Sequence, residues 1–297
     1  MTRFGPVMTA MVTPFHHDGS VDLDGCAALA AWLVDHGNDA LVVTGTTGEA
    51  STLTDEEQVE VWRAVRGAVA VPVIAGSGTN DTRHASTLTA KADAVGLDGV
   101  LLVTPYYNRP PQTGIEAHFR ALAAATDLPV VLYDVPARTG RSMSQEVLLR
   151  LAHDVDNVVG FKDARGDVGA TARLVADAPE GFEVYCGDDD LTLPMLAVGA
   201  VGLISVAAHW AAGAFVDLFA AYAAGDVARA TELNARLLDS FDYETGDLAP
   251  NPLPAKAMLR VLGQPAGPCR LPLGDPPSEL DDRARAVLAG LAELASV

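Results

Sequence analysis

Lysine is scarce in this chain, so each one can be considered as a possible reactive group. There are three: Lys91, Lys162 and Lys256. Lys162 alone follows a run of apolar strand-forming residues, Val158–Phe161. Burial lowers the pKa of a lysine because it disfavours the charged ammonium. The neutral amine that results is the nucleophile that forms a Schiff base with a carbonyl compound. Taken alone, the pattern also fits a lysine whose flexible stem carries its charge to water.

Eight segments share the pattern of buried parallel strands, in which short and mostly β-branched apolar runs end in glycine, threonine or a polar residue. They are Val7–Thr13, Ala40–Thr44, Pro72–Ala75, Gly99–Thr104, Pro129–Tyr133, Val158–Lys162, Glu183–Gly187 and Gly202–Val206. Helical patterns fill the gaps, at Asp22–His36, Thr54–Ala68, Asp81–Val95, Gly114–Thr126, Ser144–His153, Asp167–Asp177 and Asp190–Val198. This alternation predicts an α/β protein with a (β/α)8 TIM barrel. An open doubly wound sheet is the alternative, weakened because no GxGxxG follows the first strand.

Beyond Val206 the sequence shows helical patterns and no further strands. The predicted helices are Ala214–Ala224, Val227–Asp239, Pro254–Leu262 and Pro276–Leu294. We therefore predict a barrel domain at residues 1–225 and a C-terminal helical region at residues 226–297, which packs on the barrel.

The net charge of −19 argues against nucleic acid or an anionic membrane as a partner, because both need a basic face. An anionic substrate must instead be met by local positive groups. The three cysteines are far apart in sequence, which favours a reducing cytoplasm over a disulfide framework. We also see no signal peptide and no apolar run long enough to cross a membrane.

The carboxyl ends of the strands form the active-site face of a (β/α)8 barrel. Lys162 lies at the sixth strand end, and Tyr133 ends the fifth, where its phenol can transfer protons. The turn Gly45–Gly48 offers backbone amides and two hydroxyls to a carboxylate. Arg138 can bind a second carboxylate with its planar guanidinium. An ordinary loop, a core tyrosine and a surface arginine remain the alternatives for these features.

Neither of the two polar clusters that might suggest a metal is expected to bind one. We interpret Asp188–Asp190 as a loop with an acidic helix start, and His16-His17 lacks a third ligand at a suitable spacing.

Six segments together resemble the dihydrodipicolinate synthase family, within the N-acetylneuraminate lyase superfamily of pyruvate-dependent class I aldolases. They are Gly45–Glu49, Thr104–Asn108, Tyr133–Gly140, Gly160–Asp163, Gly187–Asp189 and Asn251–Lys256, and they occur in family order over nearly the whole chain.

The resemblance implies a role for individual residues. Lys162 would form the Schiff base with pyruvate, Tyr133 would shuttle protons, and Thr46 would link Tyr133 to Tyr107 of a neighbouring subunit. The remaining implied residues bind substrate. These are Thr47 for the pyruvate carboxylate, the Ile204 backbone carbonyl and Gly187 along the pyruvate site, and Arg138 for the second substrate, aspartate semialdehyde.

The implied reaction condenses pyruvate with L-aspartate 4-semialdehyde to 4-hydroxy-tetrahydrodipicolinate, the first committed step of diaminopimelate and lysine biosynthesis. The resemblance implies no metal or organic cofactor, and a homotetramer built as a dimer of dimers. The alternatives are an N-acetylneuraminate or 2-keto-3-deoxy sugar acid lyase and, more remotely, a non-catalytic barrel. Arg138 favours the synthase, because the sugar-acid lyases of the superfamily usually lack an arginine there.

We predict weak or absent feedback inhibition by lysine. In lysine-sensitive members the inhibitor site uses two histidines and a glutamate, but Asp55, Gln58 and His84 occupy these places here, although Asn80 and Tyr106 match. A lysine titration of the enzyme rate tests this. An inhibition constant below about 1 mM would contradict it, because such binding contributes more than about 4 kcal/mol.

Overall fold

The computed structural model describes residues 2–245 and 249–292. Eight strands form one closed barrel in which each strand neighbours the next in sequence. They are β1 (Val7–Ala10), β2 (Ala40–Val43), β3 (Val73–Gly76), β4 (Gly99–Val103), β5 (Val130–Asp134), β6 (Val158–Asp163), β7 (Glu183–Cys186) and β8 (Gly202–Ser205). The predicted barrel is therefore confirmed, and every predicted strand is present with small differences at its ends.

Twelve α-helices connect and follow the strands in the described ranges. They are α1 (Leu23–Asp35), α2 (Asp55–Ala68), α3 (Thr82–Val95), α4 (Gln112–Ala123), α5 (Pro136–Thr139), α6 (Gln145–Asp154), α7 (Val168–Asp177), α8 (Thr192–Ala197), α9 (Ala208–Ala223), α10 (Val227–Glu244), α11 (Leu253–Val261) and α12 (Glu279–Ala292). None of these helices is both long and apolar enough to span a membrane.

Most predicted helices differ from the observed ones by three residues or fewer at an end, and three differences are larger. α9 begins earlier than the predicted Ala214, and α10 continues beyond the predicted Asp239. The one-turn helix α5 was not predicted, although Pro136 at its start and Gly140 at its end, with φ 72°, favour it. The end of the predicted helix Pro276–Leu294 lies outside the described residues.

The described residues group into two compact units. The β3–β8 unit contains Pro72–Ile204 and the N-terminal residues through Gly5. The β1–β2 unit contains Pro6–Val71 and the described residues from Ser205 onward. The boundary between a barrel at 1–225 and a helical region at 226–297 stays a prediction.

Within the β3–β8 unit, parallel pairing of β5 with β6 sets Tyr133 opposite Lys162 and Asp134 opposite Asp163. Successive residues of a strand face opposite sides, so Tyr133 and Lys162 share one face. Asp163 is fully buried on the other, where it accepts hydrogen bonds from Arg165 Nη2 at 2.7 Å and Nε at 2.9 Å. This ion pair anchors the end of β6 directly beside the lysine.

Within the β1–β2 unit, the C-terminal helices enclose a buried cluster of their own. Its members are Tyr243, Ala249, Leu253, Ala257, Met258, Cys269, Leu280, Ala284 and Val287. Trp210 of α9 packs against this cluster, and α9 also packs on β1. Because α9 belongs to both contacts, the C-terminal helices are continuous with the barrel strands of the same unit.

Candidate active site

Lys162 lies near the carboxyl end of β6 with 5% of its surface exposed. Burial lowers the pKa of its amine to about 8, while the carboxylates of Asp189 and Asp188 act in the opposite direction. At pH 7 about a tenth of such an amine is neutral, a few hundred times the neutral fraction of an ordinary lysine. The structure therefore gives Lys162 the protonation behaviour that a Schiff-base nucleophile needs.

Tyr133 lies beside this amine because the β5–β6 register sets the two residues opposite each other. Its ring centroid is 4.6 Å from Lys162 Nζ, and the tyrosine is buried. An ammonium over the face of an aromatic ring is attracted by the ring quadrupole. A phenol next to a reacting amine can also transfer protons.

Gly187, directly after β7, leaves room for the stem of the lysine. A Cβ at this position would lie only 3.0 Å from Lys162 Cε and 2.9 Å from Ala164 Cβ, closer than such atoms normally approach. The Gly187 amide donates to the Asp163 carbonyl at 2.8 Å, so the close approach of the two strand ends is fixed. A side chain at this position would have to displace the nucleophile.

Asp188 and Asp189 begin a short helix with an acidic first turn, as the sequence interpretation had it, and their carboxylates also act on Lys162. Asp188 occupies the N-cap position of the short 3₁₀ helix Asp189–Leu191, but its side chain makes no capping hydrogen bond. Burial raises its pKa to about 6, and Lys162 opposes this rise. The signal in the sequence was the pair of carboxylates that follows Gly187 at the end of β7, the strand that pairs with the lysine strand.

The other predicted residues of the β3–β8 unit lie in different environments. Arg138 is exposed on α5, and its positive charge contributes to lowering the pKa of Lys162. Ile204 is buried near the end of β8. Tyr107 is 88% exposed, with a left-handed backbone at φ 70°.

In the β1–β2 unit, the turn Gly45–Gly48 lies between two non-glycine residues with left-handed backbones, Thr44 at φ 51° and Glu49 at φ 56°. Thr46 is exposed, whereas Thr47 is buried and its Oγ1 accepts a hydrogen bond from Asn251 Nδ2 at 2.9 Å. A Cβ at Gly48 would lie 3.0 Å from the Met11 carbonyl oxygen and 2.9 Å from the Thr44 nitrogen. The turn can therefore be this tight only with glycine at that position.

A buried ion pair between Glu49 and Lys256 was missed by the sequence reasoning. Lys256 is fully buried, with Nζ 2.7 Å from Glu49 Oε1. Burial lowers the pKa of Lys256, and Glu49 acts against this shift. Both residues belong to segments that carried the family resemblance, but neither had been given a role.

Comparisons with known proteins identify a family to which the sequence is similar over nearly its whole length. Residues 3–290 match the profile of the dihydrodipicolinate synthetase family. A 4-hydroxy-tetrahydrodipicolinate synthase of Moorella thermoacetica is 48% identical over 96% of this chain and 98% of its own length.

Solved structures show the same similarity. The Cyanidioschyzon merolae DHDPS with lysine bound has a TM-score of 0.95 at 43% identity, covering 98% of this chain and 99% of that one. The chloride-inhibited Acinetobacter baumannii dihydrodipicolinate synthase complexed with pyruvate has a TM-score of 0.91 at 37% identity, covering 97% and 99%.

We predict that the Lys162 amine titrates near pH 8. Asp188→Asn should lower this pKa further, because the Asp188 carboxylate stabilises the ammonium and the substitution removes it. Brief acylation with an acid anhydride across pH 6–11, read by peptide mass spectrometry, measures this. Lys162 should be labelled at pH 7 about a hundred-fold or more faster than an ordinary lysine.

Asp190→Asn is the matched control, because Asp190 is an exposed carboxylate of the same turn. It should leave the labelling of Lys162 unchanged. A Lys162 midpoint above pH 10 in the unmodified protein would contradict the prediction.

Proposed function

The chain belongs to the dihydrodipicolinate synthetase family, and we propose that it condenses pyruvate with L-aspartate 4-semialdehyde to give 4-hydroxy-tetrahydrodipicolinate. The observation that carries this proposal is the buried Lys162 amine, with a pKa of about 8 and the Tyr133 ring beside it. The similarity to curated synthases over nearly the whole chain supports this reaction over a sugar-acid lyase or a non-catalytic barrel.

Lys162 begins the reaction in its neutral form by attacking the ketone carbon of pyruvate. The carbinolamine that forms loses water, for which Tyr133 supplies and removes protons. Loss of a methyl proton from the iminium then gives an enamine, whose carbon attacks the aldehyde of the second substrate. The amino group of that substrate displaces Lys162 and closes the ring. None of these steps requires a metal or an organic cofactor.

Thr47 holds the pyruvate carboxylate through its hydroxyl and its backbone amide. The family resemblance assigns Thr46 and Tyr107 to the proton relay of Tyr133, and Gly187 and the Ile204 carbonyl to the pyruvate site. The tight turn at Gly48 and the room that Gly187 leaves for Lys162 support the assignments to Thr47 and Gly187.

We propose a homotetramer, because the relay role of Tyr107 requires a neighbouring subunit. The high exposure of Tyr107 and its left-handed backbone support a role outside its own protomer. A cytoplasmic location agrees with the three cysteines, all of which are buried and free. Aspartate semialdehyde and pyruvate each carry a carboxylate, which a chain of net charge −19 repels overall. Arg138 and the amides of the Gly45–Gly48 turn provide the local attraction that binding needs.

Borohydride reduction in the presence of pyruvate tests the nucleophile. We expect a single adduct on Lys162, because its amine is partly neutral near pH 7. Lys256 should stay unmodified, since Glu49 binds its amine. Intact-mass and peptide mapping provide the measurement, with Lys162→Met as the blank. Absence of an adduct, or an adduct on Lys91 or Lys256, would contradict the mechanism.

Arg138→Ala tests the subsite of the second substrate. Loss of a charge-assisted hydrogen bond should raise the KM for aspartate semialdehyde by about 10- to 100-fold. The concentration of pyruvate that half-saturates trapping should change by less than about twofold, because other residues hold that carboxylate.

Arg173→Ala is the matched control, an exposed arginine on α7 that should change neither parameter. Equal losses for both substrates would refute the role assigned to Arg138. Replacing aspartate semialdehyde with N-acetylneuraminate or a 2-keto-3-deoxy sugar acid in the same assay separates the synthase from the lyase alternatives.

A further inference from the structure

We propose that the Glu49–Lys256 ion pair positions the Gly45–Gly48 turn for carboxylate binding, so that Lys256 and Glu49 are positioning residues. The inference rests on the proposed function, in which Thr47 of this turn holds the carboxylate of pyruvate. All the residues concerned lie in the β1–β2 unit.

The turn needs external support because its backbone is strained. Thr44 and Glu49 both have positive φ, a conformation that non-glycine residues rarely adopt. Such strain persists only where surrounding contacts hold it, and it clusters at functional sites. Two contacts come from nearby elements, from Trp62 Nε1 to Thr44 Oγ1 at 2.7 Å and from Thr13 Oγ1 to the Gly48 carbonyl at 2.7 Å.

The Glu49 side chain is held by two groups that both come from the C-terminal part of the chain. Lys256 Nζ lies 2.7 Å from its Oε1, and the Arg270 backbone amide donates to its Oε2 at 2.9 Å. The Glu49 and Lys256 side chains are 1% and 0% exposed, so water cannot replace either partner. Removal of one charge would leave the other buried without compensation.

The Lys256 amine is fully committed to structural contacts. Besides Glu49 it donates to the Pro268 carbonyl at 2.7 Å, and it lies 4.3 Å from the centroid of the Phe15 ring. These contacts leave no side open for a carbonyl substrate. The Lys256 amine is therefore not a nucleophile. It fixes the position of the Glu49 carboxylate.

A second contact from the same segment reaches the proposed ligand group directly. Asn251 Nδ2 donates to Thr47 Oγ1, so the oxygen accepts and the hydroxyl hydrogen remains available to an anion. Asn251 directly precedes the N-cap of α11 and Lys256 lies in its first turn, and Pro252 and Pro254 stiffen the chain between them. The start of α11 thus fixes both the turn and the direction in which Thr47 can donate.

If the Glu49–Lys256 pair only stabilised the fold, breaking it would lower the thermal midpoint and leave pyruvate binding unchanged. If it positions the turn, breaking it should also weaken pyruvate binding. Arg260, also on α11, pairs with Asp281 of α12 at the surface and not with the turn. Arg260→Met is therefore the matched control for Lys256→Met, since both remove a cation from one helix.

The experiment measures the pyruvate concentration that half-saturates borohydride trapping on Lys162, together with the thermal midpoint of each variant. Wild type and Arg260→Met should agree within twofold. Lys256→Met should raise the half-saturating concentration by about tenfold or more, because a small misplacement of a binding group has a large effect. Asn251→Ala should raise it by about threefold or more.

The double variant Glu49→Gln with Lys256→Met separates positioning from stability. It carries no unpaired buried charge, so its thermal midpoint should recover relative to Lys256→Met, while the half-saturating concentration stays raised at least fivefold. If Lys256→Met does not fold, the double variant and Asn251→Ala decide the question.

Half-saturation within twofold of wild type in the folded variants overturns the positioning role and leaves the proposed function intact. Absence of a Lys162 adduct in the wild-type protein is a different result. It refutes the proposed function, and this inference with it.

Discussion

Desolvation of the Lys162 amine is the interaction on which the chemistry of this barrel depends. An exposed lysine would be almost entirely protonated near neutral pH, whereas one buried without carboxylates nearby would have a much lower pKa. Asp189 and Asp188 limit the effect of burial, so the pKa lies near 8. The packing around β6 keeps the amine in this environment. Gly187 leaves room for the lysine stem, and the Asp163–Arg165 pair holds the strand end.

The two buried lysines show that burial alone does not identify a nucleophile. Lys162 has an aromatic ring beside it and carboxylates that act on it through space. Lys256 instead makes direct contact with a carboxylate and a backbone carbonyl. An amine in direct contact with a carboxylate is fixed in position, which suits a structural role. The groups that contact each amine, and not its burial, therefore decide whether the lysine is a nucleophile or a structural residue.

Local patterns made most of the fold predictable from the sequence. Apolar strand runs predicted all eight strands, and the helix predicted from Thr54 is present as α2, with a capping box between Thr54 and Glu57 at its start. The start of α9 could not be placed in the same way, because its alanine-rich first turn carries no helical periodicity. Lys162 and Tyr133 were found because both end strands. The roles of Asp188 and Lys256 depend on neighbours distant in sequence, which no local pattern reveals.

The contact between Asn251 and Thr47 joins residues 204 positions apart in the chain. A ribosome that adds about 5–20 residues per second needs roughly 10–40 s to make the intervening chain. During that interval the Gly45–Gly48 turn is already synthesised, with Thr13 and Trp62 beside it, but Asn251 and Lys256 have not yet been made. Strands β5 and β6, which carry Tyr133 and Lys162, are also made before Asn251. A chain that ended before Asn251 would contain Lys162 and Tyr133 but lack the two side chains that contact Thr47 and Glu49.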